Sequence, residues 1–318
     1  MKGCSMLYGT YRFHCSLQGD ALLPPYKGST FRGAFGIALK RAVCVARTQE
    51  CPGCLLAGRC IYARTFEAGT VDTQNRVKAT PPVPYIIEPP LDTRTRFNQG
   101  EAFDFSLILL GEANASLPYF IYAFELMGEG GIGKKIAGKR PGYTLDSVSS
   151  GNDVIYDSIS KKLRPSSAAA ISLPAAAHDA PETVTLELLT PLRLKHHNEL
   201  SSTLPFHLLV RALLRRISTL FGHFGSGEPP LDYKGLVAAA HHVETVASTL
   251  RWHDWERYSN RQEQAMLMGG LLGSVTYRGE LAPFMPLLET CQLLHLGKQT
   301  SFGLGQYHLS STVTGVRQ

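Results

Sequence analysis

Leu293-Leu-His-Leu-Gly-Lys-Gln-Thr-Ser-Phe-Gly-Leu-Gly-Gln-Tyr307 is the stretch on which the reading of this chain turns. An apolar, helix-like run precedes it and a short strand-like run follows. Gly297, Gly303 and Gly305 interrupt it, and Lys298 is its only full charge. Glycine permits φ > 0 and lets backbone come close to a ligand without a Cβ in the way. N–H groups turned outward in such a loop suit an anion. A looser version lies at Met127-Gly-Glu-Gly-Gly-Ile-Gly-Lys-Lys-Ile-Ala-Gly-Lys-Arg140. It follows the apolar run 117–127 and precedes the strand-like run 143–148. Two glycine-and-lysine loops in the same local setting predict a duplicated module.

Working outward, residues 7–17 alternate with period two. Leu7, Gly9, Tyr11, Phe13, Cys15 and Leu17 share one face, while Tyr8, Thr10, Arg12, His14 and Ser16 share the other, the pattern of a half-buried strand. Ser29 is the expected N-cap of a helix reaching Cys44, with Phe31, Phe35, Leu39 and Val43 as its apolar stripe. Strands are expected at 84–88 and 102–110, a helix at 117–127 and a closing strand at 143–148. Residues 166–181, low in complexity, read as a linker. The pattern then restarts, with strand 184–194, helix 205–221, strands 251–261 and 270–277, helix 281–296 and strand 304–309. Pro283 and Pro286 fall in the first turns of that last helix, where proline is tolerated. Each half reads β-α-β-β-α-β, the ferredoxin-like split unit. The expected class is therefore α+β, two tandem ferredoxin-like domains at 1–165 and 182–318, with a four-cysteine insertion in the first.

The 318 residues are 44% hydrophobic and 18% charged, a globular composition that excludes general disorder. Net charge is +6 and the isoelectric point is near 8.9, compatible with a polyanionic partner. No apolar run approaches the roughly 20 residues of a membrane span. The opening MKGCSMLYGTYRF lacks the apolar core of a secretory signal. A cytoplasmic protein is expected, and seven cysteines in a reducing compartment read as thiols or metal ligands.

Cys44-x6-Cys51-Pro-Gly-Cys54-x5-Cys60 has a tight turn inside its CxxC that lets two thiolates point at one centre. With Cys44 and Cys60 they complete a tetrahedral set suited to structural zinc. An iron–sulfur cluster uses the same ligands and is the competing occupant. Four unligated thiols are the plain alternative.

Gly128-Glu-Gly-Gly-Ile-Gly133 matches G-x-G-x-x-G, but a nucleotide site needs a strand before the glycines and a helix after them. Here the order is reversed, and Lys135 stands where a P-loop would carry Ser or Thr, so no nucleotide cofactor is expected. Lys134, Lys135, Lys139 and Arg140 lie without an acid between them, which favours phosphate contact over a merely solvated turn. Arg257-Tyr-Ser-Asn-Arg-Gln262 follows Trp252 and Trp255. Interleaved aromatic and arginine residues suit single-stranded RNA; the alternative is core tryptophans beside a solvated face. His295, two residues before Gly297, is the histidine best placed for acid–base work.

Pro24-Pro-Tyr-Lys-Gly-Ser-Thr-Phe-Arg-Gly-Ala-Phe-Gly36 resembles the loop-and-helix entry of the repeat-associated RNA-binding (RAMP) superfamily of CRISPR systems. Together with the two glycine loops and the 257–262 stretch, it is similar to the CRISPR RNA-processing endoribonucleases of that superfamily. The resemblance implies binding of CRISPR repeat RNA and metal-independent cleavage by ribose 2′-OH attack, leaving a 2′,3′-cyclic phosphate. It implies RNA contacts from Arg32, Lys134, Lys135, Lys139, Arg140, Arg257, Arg261, Gly297, Lys298, Gly303 and Gly305. Relatives often place a histidine near the first helix, but this chain has none between positions 15 and 177. His295, Tyr26 and His14 are accordingly the catalytic candidates, with Lys27, Lys40 and Lys298 near them. A non-cleaving RNA-binding subunit of a CRISPR effector complex is the alternative on the same fold. A metal-thiolate regulatory protein is the third class.

Overall fold

Residues Tyr11, Phe13, Cys15 and Leu17 are all buried and their polar neighbours are not, so the strand they form is the spine of a one-sided sheet. The computed structural model describes residues 4–47, 50–67, 81–165, 168–174, 181–196, 199–259 and 264–312. The chain divides into two units, Leu7–Ala170 and Met1–Met6 with Ile171–Gln318. Both are mixed α and β, built on antiparallel sheets.

The first unit runs β1 (Ser5–Leu17), α1 (Gly28–Val43), α2 (Ile61–Phe66), β2 (Tyr85–Glu88), β3 (Ala102–Leu110), α3 (Leu117–Gly130), β4 (Tyr143–Ser150), β5 (Asp153–Asp157) and β6 (Lys162–Leu163). The strand path is β2-β3-β1-β4-β5-β6. Helices α1 and α3 lie side by side and share a phenylalanine core with the sheet. Phe35 stacks on Phe124 at 4.5 Å between centroids, and Phe13 stacks on Phe105 at 4.8 Å. Such pairs contribute about 0.5–1.5 kcal/mol each beyond their buried area.

The second unit runs β7 (Thr183–Leu192), α4 (Phe206–Phe224), α5 (Tyr233–Ala239), β8 (Glu244–Ser248), β9 (Arg251–Ser259), β10 (Gln264–Arg278), α6 (Met285–Leu294) and β11 (Tyr307–Thr312). Its path is β8-β10-β7-β11, with β9 also pairing β10. Leu209, Leu213, Ile217 and Leu220 of α4 and Leu288 and Cys291 of α6 are buried, and the two helices pack together. The first four core strands of each unit therefore follow one path, second-third-first-fourth, with helices after the first and third.

Several expectations are corrected. Ser29 does not cap α1: Lys27 holds that position without a side-chain cap bond. The Lys27 ammonium is fully buried, bonded to the Asp92 carboxylate at 3.1 Å and to the Asp92 carbonyl, so the chain turns helical earlier. Leu7 is exposed, because Met6 takes the buried place and shifts the alternation. The low-complexity stretch contains a strand, Ala169–Ser172. Strand β8 and helix α5 had no clear pattern: β8 is exposed throughout, and α5 buries no residue.

Candidate nucleic-acid interface

The second glycine loop is wedged against the end of β7. Leu296 N–H donates to Gly305 O, Gly305 N–H to Pro191 O, and Lys298 N–H to Arg193 O. Thr190 Oγ1 donates to Gly303 O at 2.8 Å. At Gly305 φ is +74°, and a Cβ would lie 1.7 Å from Leu296 O. These donors are thus spent on carbonyls; Gly297 and Gly305 provide backbone clearance, and Gly303 a left-handed turn at φ +82°. What the loop offers to solvent is the exposed side chain of Lys298.

His295 is enclosed within the second unit. Helix α6 stops at Leu294, and His295 continues with φ +54°, which turns its imidazole inward. The residue is 0% exposed, and Nδ1 lies 3.2 Å from Leu304 O. Its carbonyl and that of Leu294 accept from Arg216, whose guanidinium closes the C-terminal end of α6. Burial lowers Arg216 to about 10, still cationic at neutral pH. Tyr26 is likewise a poor acid–base group, since burial pushes its phenol up.

His14 is the catalytic candidate that the fold presents. It lies half-buried on the polar face of β1, between β3 and β4. Nδ1 is 3.0 Å from Asp104 Oδ1, and Nε2 is 3.1 Å from Ser149 Oγ. An ionised carboxylate only accepts, so the Asp104 contact puts the proton on Nδ1. Nε2 is then the acceptor of the Ser149 hydroxyl in the neutral ring. Arg12 holds the other Asp104 oxygen at 2.8 Å. The sequence placed His14 on this face, but Asp104 and Ser149 are 90 and 135 residues away and only the strand register brings them in.

Lys134, Lys135, Lys139 and Arg140 are exposed, on a turn closed by Ile136 and Lys139. Arg32 is not directed outward: its guanidinium sits 4.8 Å from the Phe66 ring centre. Arg257 lies on β9, whose side chain there is outside the described residues, as is Arg261 entirely. Missed were Arg193, Lys195, Arg211 and Arg215, which join Lys298 around a cavity of about 440 Å³ in the second unit. The i,i+4 spacing of Arg211 and Arg215 was the available signal.

Cys44 ends α1, Cys60 begins α2, and Cys54 N–H donates to Cys51 O in the turn between. Burial pushes the Cys51 thiol up, Lys40 pulls it down, and Glu67, Cys60 and Cys44 push it up. Among the described residues, no group of three or more His, Cys, Asp or Glu converges as metal ligands. Nor, among them, is any helix long and apolar enough to cross a membrane.

Comparison with known proteins gives a consistent set. Residues 6–168 match a family model described as an N-terminal domain, and residues 186–307 match that of the CRISPR-associated endoribonuclease Cas6. A protein of Archaeoglobus fulgidus, described as uncharacterized, is 27% identical over 299 residues, covering 91% of this chain and 93% of its own. Among solved structures, Cas6 of Thermus thermophilus aligns at a TM-score of 0.53 and 14% identity, over 96% of this chain and 99% of that one. A Cas6 product complex aligns at 0.57 and 15%, over 96% and 100%. A partial Cas6-RT-Cas1–Cas2 complex aligns at 0.57 and 13%, over 97% of this chain but 47% of that one, so the chain spans about half of it. At these identities the structural likenesses speak to fold.

Proposed function

We propose that the chain is a CRISPR-associated endoribonuclease of the Cas6 type, whose family model matches residues 186–307, and that it matures CRISPR RNA by metal-independent cleavage of the repeat. The observation that carries the catalytic part is the Ser149–His14–Asp104 arrangement on the open face of β1. His14 Nε2 takes the proton of a ribose 2′-OH, which displaces the Ser149 hydroxyl as its hydrogen-bond donor. The freed 2′-oxygen attacks the adjoining phosphorus, the P–O5′ bond breaks, and the leaving 5′-oxygen takes a proton from water while the His14 imidazolium returns its own to solvent. The products are a 2′,3′-cyclic phosphate and a 5′-OH. Asp104 holds the ring and offsets the imidazolium charge. The reaction also needs cations beside the phosphorane; Arg12 and the exposed cations of the first glycine loop are the groups we assign to RNA phosphates.

The finer architecture on this reading is a tandem pair of ferredoxin-like domains. Its first copy carries a cysteine insertion in which Cys44, Cys51, Cys54 and Cys60 hold a structural zinc. That metal ties α1 to α2 and takes no part in the cut. Repeat RNA is the substrate, CRISPR effector proteins are the partners, and the cytoplasm is the site of action.

The test is single-turnover cleavage of the repeat RNA from the protein's own locus, in EDTA, with the ends mapped. One defined cut with a cyclic phosphate is expected. His14→Ala should slow it at least about 100-fold, the lower range for general acid–base catalysis. Asp104→Asn should lie between that variant and wild type, and Ser149→Ala should stay close to wild type. Tight binding without any cut would instead mark a non-cleaving subunit. A His14→Ala enzyme that cuts at the wild-type rate would remove His14 from the mechanism.

A further inference from the structure

Besides Arg216, five cations stand around one cavity of the second unit, on three separate elements. Arg211 and Arg215 project from successive turns of α4, Arg193 and Lys195 follow the end of β7, and Lys298 comes from the second glycine loop. The cavity holds about 440 Å³, and no acidic side chain lines it. Arg211, Arg215, Lys195 and Lys298 are exposed, and none of the five makes an ion pair with a described residue. Like charges so gathered repel one another, and a globular protein ordinarily interleaves acids among them. Arg193 adds a second sign. Its Nη1 is bound to Gly269 O, while its buried Nε has no hydrogen-bond partner. A buried charged donor left unmatched is costly, and an anion entering the cavity would match it.

We propose that this cavity is a seat for the phosphate backbone of single-stranded RNA, with Arg211, Arg215, Arg193, Lys195 and Lys298 as its ligands. The glycine loop contributes position, since the Lys298 N–H bond to Arg193 O fixes the two cations side by side. Arg216 contributes rigidity: its guanidinium is committed to the end of α6, so the floor stays in place whether or not RNA is bound. Leu194, Leu208 and Ala212 supply the apolar part of the lining. They give a base a surface to rest on without reading its edge, so the seat tolerates sequence. The inference rests on the RNA-binding part of the proposed function and not on the cut.

The experiment measures binding of a fluorescent single-stranded oligouridylate, and of the repeat RNA, to the full chain across a salt series. Arg211→Ala/Arg215→Ala changes two exposed residues, and a melting curve confirms that it is folded. Lys161→Ala/Lys162→Ala removes the same charge elsewhere. For single strands the log–log salt slope changes by about 0.7 per phosphate contact. The Arg211/Arg215 variant should therefore lose about 1.4 from the slope and bind at least about 10-fold more weakly in low salt. The Lys161/Lys162 variant should keep the slope, and Arg211→Lys/Arg215→Lys should restore most of it. An unchanged slope in the Arg211/Arg215 variant overturns the proposal, whatever the cleavage result. Loss of slope in that variant, with no cut by wild type, supports the seat while removing the endonuclease reading. A wild-type protein that binds neither RNA overturns both.

Discussion

Both glycine loops deliver the chain from a helix to a core strand through a buried tyrosine. Tyr143 donates its hydroxyl to Phe124 O, and Tyr307 donates to Leu288 O, each 19 residues back. Between those fixed points the loops diverge. The first anchors at its base, with Ile132 N–H on Pro141 O and Lys134 N–H on Leu22 O, then runs out to an exposed turn carrying its cations. The second threads back through its own backbone and the end of β7. One presents charge; the other positions it, since Lys298 lines one cavity with five cations from elsewhere in the unit. A glycine-rich signature thus reports tight backbone crossings, and the placement of charge tells which loop meets a ligand.

The comparison breaks most readily at its glycines. In Gly305→Ala the new Cβ would lie 1.7 Å from Leu296 O, at φ +74°. The obstacle is backbone and does not swing aside. A loss above about 3 kcal/mol is expected from the clash together with the left-handed strain. Gly138 sits at φ +84° in the exposed turn, and a Cβ there meets nothing within 4 Å. Gly138→Ala should cost about 1 kcal/mol, the strain alone. Urea unfolding of the pair checks this, and equal losses would refute the contrast between a wedged loop and an open one.

The tyrosines sharpen the likeness. Tyr143→Phe and Tyr307→Phe each remove one hydroxyl and leave one buried carbonyl without that donor. Each should cost about 1–2 kcal/mol. Thermal melts that place the two costs within a factor of two would support a shared design. A neutral change at one site would make the resemblance of the two loops superficial.

Periodicity carried most of the fold into view. The alternation from Gly9 to Leu17, the four-residue stripe of α1 and the apolar runs of α3 and α4 all act through burial, and burial is what periodicity records. Strand β8 escaped because every residue in it is exposed. At the site, sequence marked His14 and the cations of the first loop, which are local signals. It put the acid–base role on His295 because proximity to glycine looked functional. The left-handed turn after α6 buries that ring, and no side-chain pattern announces such a turn. Asp104, Ser149 and the α4 arginines acquire meaning only through register and packing across the chain.

The smallest effect on stability tests the first loop. Lys134 and Lys135 are exposed, and neither makes an ion pair with a described residue. The Lys134 N–H bond to Leu22 O belongs to the backbone and survives any side-chain change. Lys134→Ala/Lys135→Ala should therefore leave stability within about 0.5 kcal/mol of wild type. Its effect should appear in RNA affinity, with the salt slope reduced by about 1.4 if both lysines meet phosphates. A variant that melts as wild type and binds RNA with the wild-type slope would mean these cations are only solvated. The second loop's cavity would then carry the phosphate contacts alone. Combined with Arg211→Ala/Arg215→Ala, the same substitutions also show whether the regions act independently. Two separate phosphate seats predict additive losses in slope; a shared contact predicts a sum smaller than its parts.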